Sequence, residues 1–151
     1  MFNRIIHIIA FGCLGTTIEV WFTAIGSAIS QWQDSETLDL ALSGHSYVWM
    51  FFIYASAALL FPIFYGKLAS FALPIRLLIY MTSTFAIEYL SGWLLEATTG
   101  SCPWHYHSGW AVHGYIRLDY APFWIVFGYV IERVFTTLNA IAPVVEIDQP
   151  S

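Results

Sequence analysis

The chain is predicted to be an all-α integral membrane protein, a four-transmembrane-helix bundle with an aromatic-rich outer loop between the third and fourth helices. Three observations predict it. Of its 151 residues 58% are hydrophobic and only 10% charged, against roughly 25% charged in a soluble domain, so no polar shell could cover the surface. Apolar runs at residues 5–29, 47–65, 73–97 and 121–142 each approach or exceed the ~20 residues a helix needs to cross the hydrocarbon core. Aromatic residues make up 19% of the chain, and Trp104, Tyr106, Trp110 and Tyr115 cluster after the third run, as in an interfacial belt where amphipathic rings sit at headgroup level.

The first run follows Met1-Phe2-Asn3-Arg4, a start that resembles a signal peptide. Its apolar character continues to Ile29, beyond the 7–15 residues of a signal h-region, so the span is read as retained. Gly12 and Gly15, about one turn apart, and Ser91 with Gly92 on the third run are small residues of the kind that let membrane helices approach closely. From this the first and third helices are expected to pack together. The second run ends at a short turn, Gly66-Lys67, and Arg76 lies just inside the third. The fourth is the weakest, because Glu132-Arg133 interrupts it. Adjacent residues on a helix do not face each other, so no direct bridge between these two is expected, and Arg133 can snorkel toward the surface. Residues 143–151 are polar, contain Pro143 and Pro150, and read as a short disordered tail behind a single transmembrane domain at residues 1–142.

Orientation follows from the five basic residues. With both termini cytoplasmic, Arg4, Lys67, Arg76 and Arg133 all fall on the inner side, as the positive-inside rule favours, and Arg117 alone lies outside. Residues 31–45, which carry Asp34, Glu36 and Asp39 and no basic residue, and residues 100–120 then face out. The localisation implied is a plasma or inner membrane.

The net charge of -5 and the scatter of the basic residues exclude a nucleic-acid surface. Cys13 and Cys102 lie at different depths, so no disulfide is expected between them, and two cysteines give no metal spacing. No Gly-x-Ser-x-Gly, His-Glu-x-x-His or phosphate-cradling glycine loop is present, and no cofactor is implied.

The least expected residues are acids inside apolar runs, since a charge in hydrocarbon costs ~3 kcal/mol or more and usually faces a partner or a wet cavity. Glu19 and Glu88 each stand fourteen residues beyond the inner end of their runs, at Ile5 and Pro74, and so at similar depth in the outer half. Glu88, Gly92 and Glu96 share one broad helix face. Two readings stand: the acids line an outward-facing pocket that binds a substrate or ion, or they are protonated and join helices by hydrogen bonds. Glu96 reads equally as a site residue or as one touching headgroups. In the loop after the third run, Trp104, His105 and Tyr106 are added to the candidate binding set of Glu19, Glu88, Gly92 and Glu96. His105 and His107, with Glu96 or His113, could in principle ligate zinc. His-x-His is a weak spacing, the belt reading is preferred, and no metal is assigned.

At these residues the chain resembles a known family, the transmembrane protein 229 family of animals, related to bacterial proteins labelled ABC-transporter type IV permeases. The matching stretches are residues 18–24, residues 46–54, Leu78-Ile79-Tyr80, Glu88 with Gly92, Cys102-Pro103-Trp104-His105-Tyr106, and residues 114–120, followed by Trp124, Gly128 and Glu132. The family usually has an aspartate between the Trp and the Tyr, where this chain has His105, so a mechanism using a carboxylate there is not carried over. The family name implies transport, and a permease of that class needs a separate ATPase.

Three functions are weighed. The first is a small permease-like or transporter subunit that oligomerises with itself or with a partner membrane or ATPase subunit. The second is a lipid-modifying enzyme at the outer leaflet, with Glu88 or Glu96 as general base, although no nucleophile stands out. The third is an accessory or structural subunit. Membrane lipids are partners in every case, and the first reading is preferred.

Overall fold

A computed structural model describes residues 1–35, 41, 43–107 and 109–145. Glu36, Asp39, Ser108 of the aromatic loop and residues 146–151 of the expected tail lie outside the described residues. The chain is mostly helical: α1 (Phe2–Ser35), α2 (Val48–Ala55), α3 (Ala57–Leu68), α4 (Leu73–Thr99) and α5 (Ala121–Ile141), with strands β1 (Ala111–Val112) and β2 (Ile116–Arg117) between α4 and α5. Among the described residues three segments are long and apolar enough to cross a membrane, Phe2–Asp34, Val48–Leu68 and Leu118–Ile141. Helix α4 forms where the third span was expected and has 27 residues, but it is not one of the three, because Arg76, Glu88, Glu96 and several hydroxyl residues dilute its apolar character.

The residues cluster into two compact units, Met1–Leu60 and Phe61–Ser151. In the first, α1 runs unbroken for 34 residues, about 50 Å at 1.5 Å per residue. Its surface carries exposed Ile5, Ile9, Trp21, Ile25 and Ile29, the groups a helix turns toward lipid. Helix α2 packs on α1 at the two small residues noted in the sequence: a Cβ at Gly12 would lie 2.5 Å from the Phe51 ring, and one at Gly15 would fall on the ring of Tyr54. The apolar run is interrupted between α2 and α3 at Ser56, whose hydroxyl donates to the Ile53 carbonyl at 2.6 Å.

In the second unit α4 and α5 are antiparallel neighbours, and both begin with proline in the first turn, at Pro74 and Pro122, where the missing N–H has no partner to lose. Helix α4 ends at Gly100 (φ 83°), whose N–H closes on the Glu96 carbonyl, a left-handed cap that favours glycine. A Cβ at Gly128 of α5 would lie 2.7 Å from Tyr80 Cβ, so this glycine sets how closely the two helices approach. Phe61, Tyr65, Tyr80 and Phe135 form a ring cluster with centroids 5.2 to 6.2 Å apart. After α4 the chain makes a small antiparallel hairpin, β1 pairing with β2. At its turn His113 (φ 52°) and Gly114 (φ 80°) are both left-handed, and the Tyr115 N–H donates to the Val112 carbonyl at 3.1 Å.

Candidate functional site

The C-terminal half of α4 and the hairpin loop bring several of the predicted residues together: Glu88, Gly92, Glu96 and Tyr106. Glu88 Oε1 accepts from the Tyr106 hydroxyl at 2.9 Å. One turn on, Gly92 is buried, and a Cβ there would meet the Tyr115 ring at 3.2 Å and Cys102 Sγ at 3.3 Å, so a larger residue would need the loop to give by a few tenths of an ångström. A further turn on, the Tyr115 phenol faces the Glu96 carboxylate. That hydrogen bond favours the protonated phenol and, with burial adding to it, pushes its pKa up to about 12 from 10.0. Glu96 Oε2 is itself buried with no hydrogen-bond partner among the described residues. Burial pushes the thiol of Cys102 up, and the nearby Glu96 and Glu88 carboxylates add to the shift.

Trp104 and His105 hold the loop rather than touch the acids. Trp104 Nε1 donates to the Tyr115 carbonyl at 3.2 Å, and the Tyr106 N–H donates to the Gly114 carbonyl at 2.8 Å. The His105 ring fills the space where a Gly114 side chain would be, and it lies 5.0 Å from the His107 ring. His113 Nδ1 shares a 2.7 Å hydrogen bond with Tyr89 Oη, so this histidine pins the turn to α4. Among the described residues no three His, Cys, Asp or Glu side chains are grouped as they would be to hold a metal ion.

Glu19 has its own partners in the first unit. Ser46 donates to its Oε2 at 3.0 Å, and Tyr54 of α2 bonds to the same carboxylate. Thr23, one turn further along α1, exchanges hydrogen bonds with the backbone of His45, at 2.9 Å from its N–H and 3.0 Å to its carbonyl. The segment before α2 is thereby tied to the acid-bearing turn of α1.

Sequence reasoning missed a second polar cluster in the second unit. Glu132 is 5% exposed and takes Arg76 in a two-point pair, Nε to Oε2 at 2.9 Å and Nη2 to Oε1 at 2.7 Å. The Tyr80 hydroxyl donates to Oε2 at 2.8 Å, and Arg76 Nη1 donates to the Phe71 carbonyl at 2.9 Å. As expected, Glu132 does not pair with Arg133, whose guanidinium instead lies over the Tyr129 ring with Nε 3.1 Å from its hydroxyl. The signal that could have found the pair is depth: Arg76 and Glu132 belong to the same end of two helices that run in opposite directions, where they stand level.

The Tyr115–Glu96 contact has a direct readout. Because the interaction favours the neutral phenol, it is fully present below pH 10 and lost as pH rises through about 12. In carbon-13 tyrosine spectra the Tyr115 signal should therefore titrate late, near pH 12 rather than 10, and Glu96→Gln should return it toward 10. A Tyr115 signal that does not respond to that substitution refutes the contact.

A family model described as "Putative ABC-transporter type IV" matches residues 6–146 of the chain. No solved structure matches it.

Proposed function

The chain belongs to the family described as "Putative ABC-transporter type IV" and has, among its described residues, three apolar segments long enough to cross a membrane, and we propose that it is a small permease-like subunit whose α4 acids bind a positively charged group. The observation that carries this reading is the pair Glu88 and Glu96 on one face of α4, each met by a phenol from the following loop. Phenol donors steady a carboxylate without neutralising it, so the site keeps its preference for a cation or a proton. The buried, unpartnered Oε2 of Glu96 supplies an acceptor for it.

In this reading α4 is a fourth crossing helix, tolerated despite its polar content because its polar face turns to α5 and the loop. Both termini are cytoplasmic and residues 31–45 and 100–120 lie outside. Gly92 admits the loop, Trp104 and His105 brace it, and Glu19 with Ser46 and Tyr54 is a second acid site in the first unit. Kinship to the transmembrane protein 229 family belongs to the same reading. In this reading the chain works with copies of itself or with a separate ATPase subunit.

The test is labelling by dicyclohexylcarbodiimide, an apolar reagent that adds to protonatable carboxyls in membranes. In liposomes holding the purified protein, peptide mapping should find Glu88 or Glu96 modified, and sodium, potassium or methylammonium should protect at least severalfold. If neither residue is modified, or no cation protects, the binding-site reading is wrong.

A further inference from the structure

We propose that the seam between α4 and α5 is a proton-transfer path, entered at Glu96 and Glu88 and gated at its far end by the Arg76–Glu132 pair. This deepens the reading of α4 as a spanning helix with an acid site, and rests on it. Every fourth residue of α4 from its first turn to its last belongs to one series: Arg76, Tyr80, Thr84, Glu88, Gly92, Glu96. The series covers 20 residues, about 30 Å of helix, the thickness of the hydrocarbon core. Ile75, Leu78, Leu90 and Leu94, outside the series, are exposed.

Four residues turn a helix about 40° past one full revolution, so the series winds slowly around α4 and must change partners along its length. The contacts follow that winding. Arg76 and Tyr80 bond to Glu132 of α5, whereas Glu88 meets Tyr106 of the loop and Gly92 and Glu96 meet Tyr115.

Helix α5 and the turn before it bring a matching series, Tyr120, Trp124, Gly128, Glu132. The Arg76–Glu132 pair and the Tyr80–Gly128 contact define an antiparallel register, four residues up one helix for four down the other. Continuing it sets Trp124 level with Thr84 and Tyr120 level with Glu88. The second of these is supported independently, because Tyr106, bonded to Glu88, also packs edge-on against Tyr120 at 5.9 Å.

In the middle of this seam Trp124 Nε1 is buried with no acceptor among the described residues. Buried donors are nearly always paired with protein or ordered water, and the proposed path places a water on this nitrogen, at the level of Thr84. The Thr84 hydroxyl donates to the Tyr80 carbonyl at 2.9 Å and has lone pairs left to accept from such a water. The seam thus has an acid near each end and a hydroxyl and an indole N–H between them. Tyr106 and Cys102 are among the groups facing Glu88. Those facing Glu132 are Arg76, Tyr80 and, from α3, Tyr65.

In one cycle a proton from the outer solution binds the Glu96 carboxylate, passes to Glu88 and moves on along the seam by way of water. It binds Glu132, which becomes neutral and releases the Arg76 guanidinium, and loss of that proton to the inner side restores the pair. One positive charge crosses per cycle, so sustained flow needs a counter-ion.

Liposomes holding the full chain and an internal pH dye, given an acid pulse with potassium and valinomycin as counter-flow, should acidify well above protein-free vesicles. Thr84→Val, which keeps shape and touches neither acid, should lower the rate tenfold or more. Thr82→Val, an exposed control on another face, should leave it unchanged, and Glu88→Gln should reduce it to the protein-free level. Wild-type flux no greater than in empty vesicles, or equal rates for Thr84→Val and Thr82→Val, overturns the path. Carbodiimide labelling on the same vesicles separates the two readings. Cation-protected labelling without flux leaves the binding site standing and removes the path, while flux that depends on Thr84 without cation protection supports the path and removes the cation site.

Discussion

Arg76→Ala should destabilise the second unit more than any other single truncation in it. Glu132 is almost fully buried, and its two oxygens take three hydrogen bonds, two of them from Arg76. Without the guanidinium only Tyr80 remains to a carboxylate that has lost its counter-charge. Removing one member of a buried pair costs about 3–5 kcal/mol, a large part of the roughly 5–15 kcal/mol that holds a folded domain together. The loss arises from the charge left behind, so removing both charges should behave differently. The double substitution Arg76→Met with Glu132→Leu should melt close to the wild type or above it. Arg133→Ala is the control: the Arg133 guanidinium bonds to exposed Tyr129, and its loss should change stability by less than about 1 kcal/mol. Thermal unfolding of the purified protein in mild detergent reads all three, and equal melting of Arg76→Ala and Arg133→Ala would show that the pair does not hold the helices.

The second large effect is expected in the first unit. At Gly15 even a methyl group would occupy the position of the Tyr54 ring, and Tyr54 cannot retreat freely because it also bonds to Glu19. Gly15→Val should therefore cost at least the ~1–3 kcal/mol typical of overpacking and should loosen α2 from α1. Gly26 lies on the same helix with nothing within 4 Å of where a Cβ would stand, so Gly26→Ala should be neutral or slightly stabilising, as helix propensity favours alanine. If the two substitutions shift the melting temperature equally, the close approach at Gly15 does not matter to stability.

Much of the helical layout was legible in the chain. The runs at 5–29, 73–97 and 121–142 became α1, α4 and α5 with ends shifted by a few residues, because length and hydropathy alone decide where a backbone can satisfy its own hydrogen bonds in lipid. The break at Ser56, whose hydroxyl bonds back to the Ile53 carbonyl, was not legible. That Tyr106 bonds to Glu88 while Trp104 and His105 brace the turn was not legible either, because it depends on the left-handed pair His113-Gly114 that shapes the loop.

By itself, then, the sequence determined the solvent in which this protein lives, the residues that would be helical and which acids were out of place. Hydrophobicity and helical period are properties of neighbours in the chain, and neighbours suffice to set them. Tertiary structure alone decided the partners: Arg76 with Glu132 across 56 positions, Tyr115 with Glu96, Tyr54 and Ser46 with Glu19. Partnership between charges depends on the register of two packed helices, and that register is set by where small residues such as Gly15, Gly92 and Gly128 let side chains from elsewhere come close.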